Sequence, residues 1–230
     1  GPNSRSFLKK IVVSEDPDKT LSNKEFPWLS YRDIEIGMCP VRALRVAYTG
    51  ELGWELHHPI EMQNYLLDIL LSSGKEFNLK LVGARAQNWL RQEKSYKAFG
   101  SDLGRDAGPF ESKLSRFVDI NKNFLGKDAL LKRKTEVSCV TLLIDGPKDI
   151  DPWGREALYN ETEEVMLGRL TSAGYSVHFK RSIGIGYVKS SFSEVGTKLR
   201  IKIDDAFWNA EIVRDSPYDP QNERIIDRAQ

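Results

Sequence analysis

Residues 47–59 read AYTGELGWELHHP, and the reading of this run decides what kind of structure surrounds it. Gly50 and Gly53 can both adopt positive φ, so Thr49–Gly53 has the composition of a tight connection between strands. Ala43–Tyr48 (ALRVAY) alternates and favours β structure, and Trp54–His57 can return as its partner strand. On that partner Trp54 and Leu56 share one face, Glu55 and His57 the other. Two readings of Glu55 follow. A glutamate facing water needs no further explanation. Alternatively, Glu55 and Tyr48 hold a flat ligand between them. A carboxylate offers two parallel acceptors to adjacent N–H donors on a heterocycle such as an aminopyrimidine or pterin. A tyrosine can stack on or wall that ring. A carboxylate desolvated in such a site must be paired, and the ligand would supply the pairing.

Outward from this run, residues 1–40 carry Pro2, Pro17, Pro27 and Pro40 with little periodicity and read as a loop-rich approach segment. Residues 41–136 read as α+β. Met62, Tyr65, Leu66, Ile69 and Leu70 recur at helical spacing, with Gly74 placed to stop the helix. A second helix is expected from Gly83 to about Tyr96, with Ala86, Trp89, Leu90 and Glu93 along one face, and a short third over Lys127–Lys134. From residue 137 the chain changes character. CVTLLID, GRLTSAGYS, SIGIGYVK, KLRIKI and FWNAEIV are β-type runs divided by turn residues, so 137–230 is expected to be a small all-β barrel or sandwich, with the boundary near Thr135–Ser138. Gly184-Ile185-Gly186 lacks the third glycine and following helix of a dinucleotide loop and reads as a closely packed strand.

Composition removes several function classes. Lys and Arg total 34 against 33 for Asp and Glu, which leaves no excess charge to recruit nucleic acid or an anionic membrane. The basic run KDALLKRK reads as a solvated helix face. No apolar run approaches the ~18 residues that span a bilayer, and no signal-peptide core is present. Cys39 and Cys139 are far apart and read as buried reduced thiols of a cytosol-like compartment. His57, His58 and His178 lack the spacing of a metal centre, so no metal is expected.

The run RVAYTGELGWEL resembles the glycine-cleavage T-protein family, the folate-dependent aminomethyltransferases. The resemblance continues in order along the chain. GARAQNWLRQEKSYKAFGSDL (83–103) is similar to the family's Gly-x-Arg…Leu-Arg-x-Glu helix and the segment after it, GPFESKL (108–114) to its Pro-Leu-Glu-Ala-Gly-Leu element, and NFLGKDAL to its Phe-Ile-Gly-Arg-x-Ala-Leu. GRLTSAGYSVHFKRSIGIGYV is similar to a run of the family's C-terminal barrel. GELGWELHHP and GYSVHFKRSIGIGYV resemble the folate-binding C-terminal half of dimethylglycine and sarcosine dehydrogenases more than the free T-protein.

This resemblance implies an α+β folate-binding domain portion followed by a small β-barrel, with tetrahydrofolate as cofactor. It places Tyr48 and Glu55 at positions that contact the pterin, and Arg85 near the benzoyl-glutamate end. Arg91 and Glu93 read as structural, because residues two apart on a helix do not face each other; Glu51 reads as a cap or brace of the turn. Ser112, Lys113 and Gln92 depart from the family pattern and alter the pocket's shape. Nothing before residue 40 resembles the family's catalytic-aspartate segment, so the catalytic residue stays unassigned and residues 1–40 read as the remnant of an N-terminal domain. GPNSRSFLKKI resembles an internal family segment, which makes the chain the expected C-terminal portion of a longer protein. The implied activity is capture of a one-carbon unit, derived from an N-methylated amine or an aminomethyl carrier, as 5,10-methylene-tetrahydrofolate. FAD would belong to a domain outside this chain. The alternative is a non-catalytic folate-binding or scaffold module of a larger oxidoreductase. The implied compartment is the cytoplasm, or the mitochondrial matrix in a eukaryote.

Overall fold

The computed structural model describes residues 1–146 and 150–227. These pack as two compact units, Gly1–Gln87 with the chain from Asp219 onward, and Asn88–Tyr218. The expected boundary near Thr135–Ser138 lies inside the second unit, where the first barrel strand begins at Val137.

The first unit is built on an antiparallel sheet of β1 (Tyr31–Ile36), β2 (Cys39–Leu44) and β3 (Glu55–His57), in that order. Alternation decides its faces: Ile34, Ile36, Cys39, Val41 and Ala43 are buried, while Asp33, Glu35, Pro40 and Arg42 face outward. Gly37 and Met38 make the turn where Ile36 pairs with Cys39. Gly37 has φ +59, and a Cβ there would lie 2.5 Å from the Tyr65 hydroxyl, which accepts the Met38 N–H at 3.1 Å. Helices α1 (Ser4–Ile11) and α3 (Gln63–Gly74) supply Leu8 and Leu66 to the core on the buried face. Lys9 and Lys10 in the last turn of α1 complement its dipole.

Three expectations change here. Residues 1–40 are not loop-rich: they hold α1, α2 (Pro17–Thr20), all of β1 and the start of β2. The prolines fall where they do no harm. Pro17 opens α2 behind Asp16, whose carboxylate accepts the Lys19 N–H at 2.9 Å. Pro40 lies outside the stretch of β2 that β3 pairs with, Arg42–Leu44. Second, β2 ends at Leu44 and does not reach Tyr48. The Arg45 N–H donates to Ser30 O at 2.9 Å and its carbonyl accepts from Leu29 N at 3.1 Å, after which Val46 N closes onto Leu44 O and bends the chain out. Third, α3 ends at Gly74 but runs on as a 3-10 turn over Lys75–Phe77, so no left-handed cap is made by Gly74. It has φ −76 and is buried under Leu79, whose side chain would lie 2.6 Å from a Cβ there; Asn78, at φ +56, supplies the left-handed residue that stops the turn.

The division between units falls within α4 (Ala84–Glu93). This helix ends before Tyr96 because Ser95 takes φ +53 and the Tyr96 N–H closes onto Arg91 O at 3.0 Å. After α5 (Lys127–Lys132) comes a closed antiparallel barrel, order β4-β7-β6-β5-β8-β9. Its strands are β4 (Val137–Ile144), β5 (Ala157–Tyr159), β6 (Met166–Ser176), β7 (Arg181–Lys189), β8 (Lys198–Ile203) and β9 (Ala206–Val213). Leu142, Ile144, Leu158, Leu170, Ile201 and Ile212 lie in its core cluster. Five strands match the expected runs; β5 has only three residues, too few to show a period. Gly186 packs as closely as its sequence suggests, since a Cβ there would lie 2.5 Å from Arg169 O.

Cys139 gives a pH prediction. It is buried on β4 opposite Tyr187. Burial pushes its thiol from 9.0 up to about 11, with Asp215 and Asp102 adding to the rise against Lys97 and Lys113. The folded state therefore holds the proton more tightly than the unfolded state. Stability from this group is complete below pH 9 and is lost as pH rises from about 9 to about 11, by about 2–3 kcal/mol. Urea unfolding of the chain and of Cys139→Ala across that window should show a shallower decline in the variant; parallel declines would reject the assignment. Tyr187, raised to about 12, keeps some slope in both proteins.

Candidate functional site

The loop Arg45–Trp54 is compact for reasons visible in its glycines. Gly50 is buried at φ +77. A Cβ on Gly53 would lie 3.1 Å from Ala47 Cβ, so the two arms of the loop touch just before Tyr48 on one side and just before Trp54 on the other. Leu52 is buried and its carbonyl accepts from Ser4 Oγ at 3.1 Å. Tyr48 is therefore a loop residue, 36% exposed, and Glu55 begins β3 opposite Leu44 on the outward face. Tyr48 lies in the first arm of the loop and Glu55 directly follows its second. Arg85 sits in the first turn of α4, exposed to solvent. Glu51 pairs with Arg224 at 3.5 Å, in keeping with a brace.

Glu55 shares the outward face with His57, as the alternation requires, and the two side chains meet at 3.1 Å between Oε2 and Nε2. His57 lies across from Arg42, and Arg42 across from Asp33, so a polar row crosses the sheet. Arg42 donates to both Asp33 oxygens at 2.8 and 3.1 Å, and this bonding holds the Asp33 carboxyl below its usual range. The row borders a groove of about 880 Å³ lined by Asp33, Glu35, Arg42, Leu44, His57 and His58, large enough to admit a ligand. Among the described residues no group of three or more His, Cys, Asp and Glu could hold a metal, and no helix is long and apolar enough to cross a membrane.

Sequence reasoning missed Arg5 and Arg45. Both are buried, at 2% and 1% exposure, and their guanidinium carbons lie 5.5 and 5.7 Å from the Trp54 ring centroid. A signal existed for each. Arg45 continues the inward alternation Cys39, Val41, Ala43, and Arg5 shares the helical stripe of Leu8 and Val12. A charge at an inward position announces a buried partner.

Arg91 and Glu93 turn out to brace the second unit. Arg91 Nη1 reaches Asp102 at 2.7 Å, Nη2 reaches Ser172 Oγ at 2.7 Å, and Nε reaches Asn88 Oδ1 at 2.8 Å. Glu93 accepts from Ser176 Oγ and from the His178 N–H. Gln92 between them is fully buried; its Nε2 donates to Asn88 O at 3.1 Å while Oε1 has no partner among the described residues. Gln92→Leu removes that stranded acceptor and is expected to raise unfolding stability by about 1 kcal/mol. A lowered urea midpoint would mean that Oε1 is satisfied by solvent. Lys113, at φ +55, faces solvent.

A family model described as "GCVT N-terminal domain" matches residues 1–122, more than half of the chain. The chain belongs to the glycine-cleavage T-protein family. A second family model, "Glycine cleavage T-protein C-terminal barrel domain", matches residues 138–219, which hold the closed barrel. Among relatives in this family, the chain is 36% identical over 222 residues to dimethylglycine dehydrogenase of Mus musculus, covering 94% of the chain and 24% of that protein. It is 30% identical over 214 residues to an aminomethyltransferase of Caldanaerobacter subterraneus, covering 93% of the chain and 55% of that protein. The crystal structure of glycine cleavage system aminomethyltransferase T from Bartonella henselae shares the fold at TM-score 0.78 with 21% identity, covering 96% of this chain and 58% of that one. The chain thus spans about a quarter of the dehydrogenase and a little over half of the aminomethyltransferase.

Proposed function

We propose that this chain supplies the pterin-contacting loop of a folate-dependent one-carbon transfer, with Glu55 as the carboxylate that accepts the heterocycle's N–H donors. The observation that supports this reading is the closed loop Arg45–Trp54, which carries the exposed Tyr48 and leads directly into the exposed Glu55 within a glycine-cleavage T-protein fold. The donor set fits the group. Glu55 is an exposed carboxylate held at one oxygen by His57, a single contact that a ligand's paired donors can displace. Tyr48 walls the ring, and Arg85 takes a carboxylate of the ligand's tail. Tetrahydrofolate, when bound, supplies the nitrogens that take up the one-carbon unit, and the product is 5,10-methylene-tetrahydrofolate. The chain's own part is to bind and orient. In a dehydrogenase-type parent, a flavin domain outside this chain oxidises the N-methylated amine that provides the carbon.

The test is calorimetric titration of the chain with tetrahydrofolate beside Glu55→Ala, with both checked for folding. Loss of the carboxylate is expected to weaken binding by about tenfold or more, since the ligand's donors lose a charged acceptor. A folded Glu55→Ala that binds as tightly as the parent would sink the assignment.

A further inference from the structure

The loop Arg45–Trp54 is held from a distant part of the chain. Arg5 and Arg45 flank Trp54 in the interior of the first unit, and two buried guanidinium groups repel each other unless acceptors surround them. The carboxylate beside them is Asp227, whose Oδ2 accepts from Arg5 Nε at 3.0 Å, 222 residues away in sequence. Arg5 also donates to Leu21 O and, at 2.7 Å, to Asn23 Oδ1. Asn23 in turn donates to Asp227 O at 2.6 Å. Arg45 donates to Phe26 O and to Ile226 O, both at 2.6 Å. Ile225 is buried, and Arg224 meets Glu51 inside the loop itself. The short helix α6 (Glu223–Ile226) therefore touches the loop at two points, Arg45 and Glu51, and Asp227 just after it reaches Trp54 indirectly, through Arg5 of α1.

We infer that the segment from Asp219 to Asp227 is a positioning clasp for the loop that carries Tyr48 and leads into Glu55, acting through Arg5 and Arg45 on Trp54. The physical cause is charge. With Asp227 in place, the pair of cations has an anion; without it, the simplest relief is for Arg45 to swing toward water, and Arg45 is the first residue of the loop. Burial and the nearby Arg5 already pull the Arg45 guanidinium down to about 10, against the support of Asp227. Arg45 Nε and Trp54 Nε1 are buried with no acceptor among the described residues, so this cluster is not arranged for stability alone. Asp227 acts on the loop only through Arg5 and Arg45. It is a positioning residue.

The functional half of this inference rests on the proposed folate reading, and its test separates the two. The chain, Asp227→Ala, Asp227→Asn and Glu55→Ala are compared by amide hydrogen exchange and by titration with tetrahydrofolate. Asp227→Ala is expected to raise exchange across residues 45–57 by about tenfold and to weaken tetrahydrofolate binding by a similar factor, with exchange in β1 and β2 unchanged. Asp227→Asn keeps the shape and an acceptor but not the charge, and should fall between; it carries the test if the alanine variant does not fold. Unchanged exchange in 45–57 would overturn the clasp. An equal rise in β1 and β2 would also overturn it, because Asp227 would then serve the unit at large. A loop-specific rise with unaltered affinity, where Glu55→Ala does lose binding, would reject the positioning role. A loop-specific rise where Glu55→Ala also leaves affinity untouched supports the clasp and counts against the folate reading alone.

Discussion

Asp102→Ala should destabilise the chain by about 3–5 kcal/mol, the largest loss expected of any single side chain here. Asp102 is 2% exposed. Its carboxylate accepts from Arg91 Nη1 at 2.7 Å, from Ser172 Oγ and Thr171 Oγ1 at 2.6 Å each, and from Ala98 N at 2.9 Å. Truncation takes the counter-ion from a guanidinium that is itself 3% exposed and the acceptor from Ala98 N, while Thr171 Oγ1 and Ser172 Oγ keep Ile185 O and Ser101 Oγ. The penalty comes from the uncompensated charge more than from any bond lost. This makes a second result specific: Arg91→Met combined with Asp102→Leu should recover a large part of the loss, because the stranded cation leaves with its partner. Urea unfolding of the single and double variants measures both. Additive losses would show that the two groups act independently, against the geometry.

Gly168→Ala is expected to cost about 3 kcal/mol or more, for a reason that involves no polar group. Gly168 lies on β6 opposite Val188 of β7, and a Cβ there would sit 1.9 Å from Tyr187 O and 2.8 Å from Val188 Cα. Both are backbone atoms of a closed barrel, so relief requires the strands to part. Gly174 on the same strand offers the comparison. Its Cβ would meet Trp89 Cδ1 at 2.0 Å, but an indole can rotate away, so Gly174→Ala should cost less, about 1–2 kcal/mol. Thermal unfolding of the two variants tests the order. The reverse order would mean that the β6–β7 pairing yields more readily than the Trp89 packing.

Local chemistry explains which parts of this molecule could be read from its sequence. The α4 and α5 helices and five barrel strands announce themselves by period, and the shared face of Glu55 and His57 follows from alternation alone. The closed loop was legible in its glycines, although Gly53 serves by close approach to Ala47 and only Gly50 by positive φ. What could not be read depends on partners far along the chain. Leu29 and Ser30 end β2 by taking the Arg45 backbone, and Leu79 packs on Gly74 while Asn78 takes the left-handed cap. Helix α1 was missed because its inward stripe includes Arg5, a charge whose counter-ion lies near the other end of the chain. The residue types at the candidate site suggested a flat ligand with paired donors; the family resemblance, not the spacing, supplied the pterin.

The pairing of Arg5 with Asp227 also has a consequence for biosynthesis. A ribosome releases the sheet and the helices of the first unit early, but the carboxylate for its two buried guanidinium groups emerges about 180 residues after Arg45. At the usual rate of synthesis that interval is roughly 10–40 s. During it the barrel strands can pair with one another, since every one of them lies upstream of Asp219. Until then Arg5 has its acceptors on Leu21 and Asn23 but not its counter-ion. The chain made first is thus completed last: the charge balance behind the loop Arg45–Trp54 is set only once Asp227 has been synthesised.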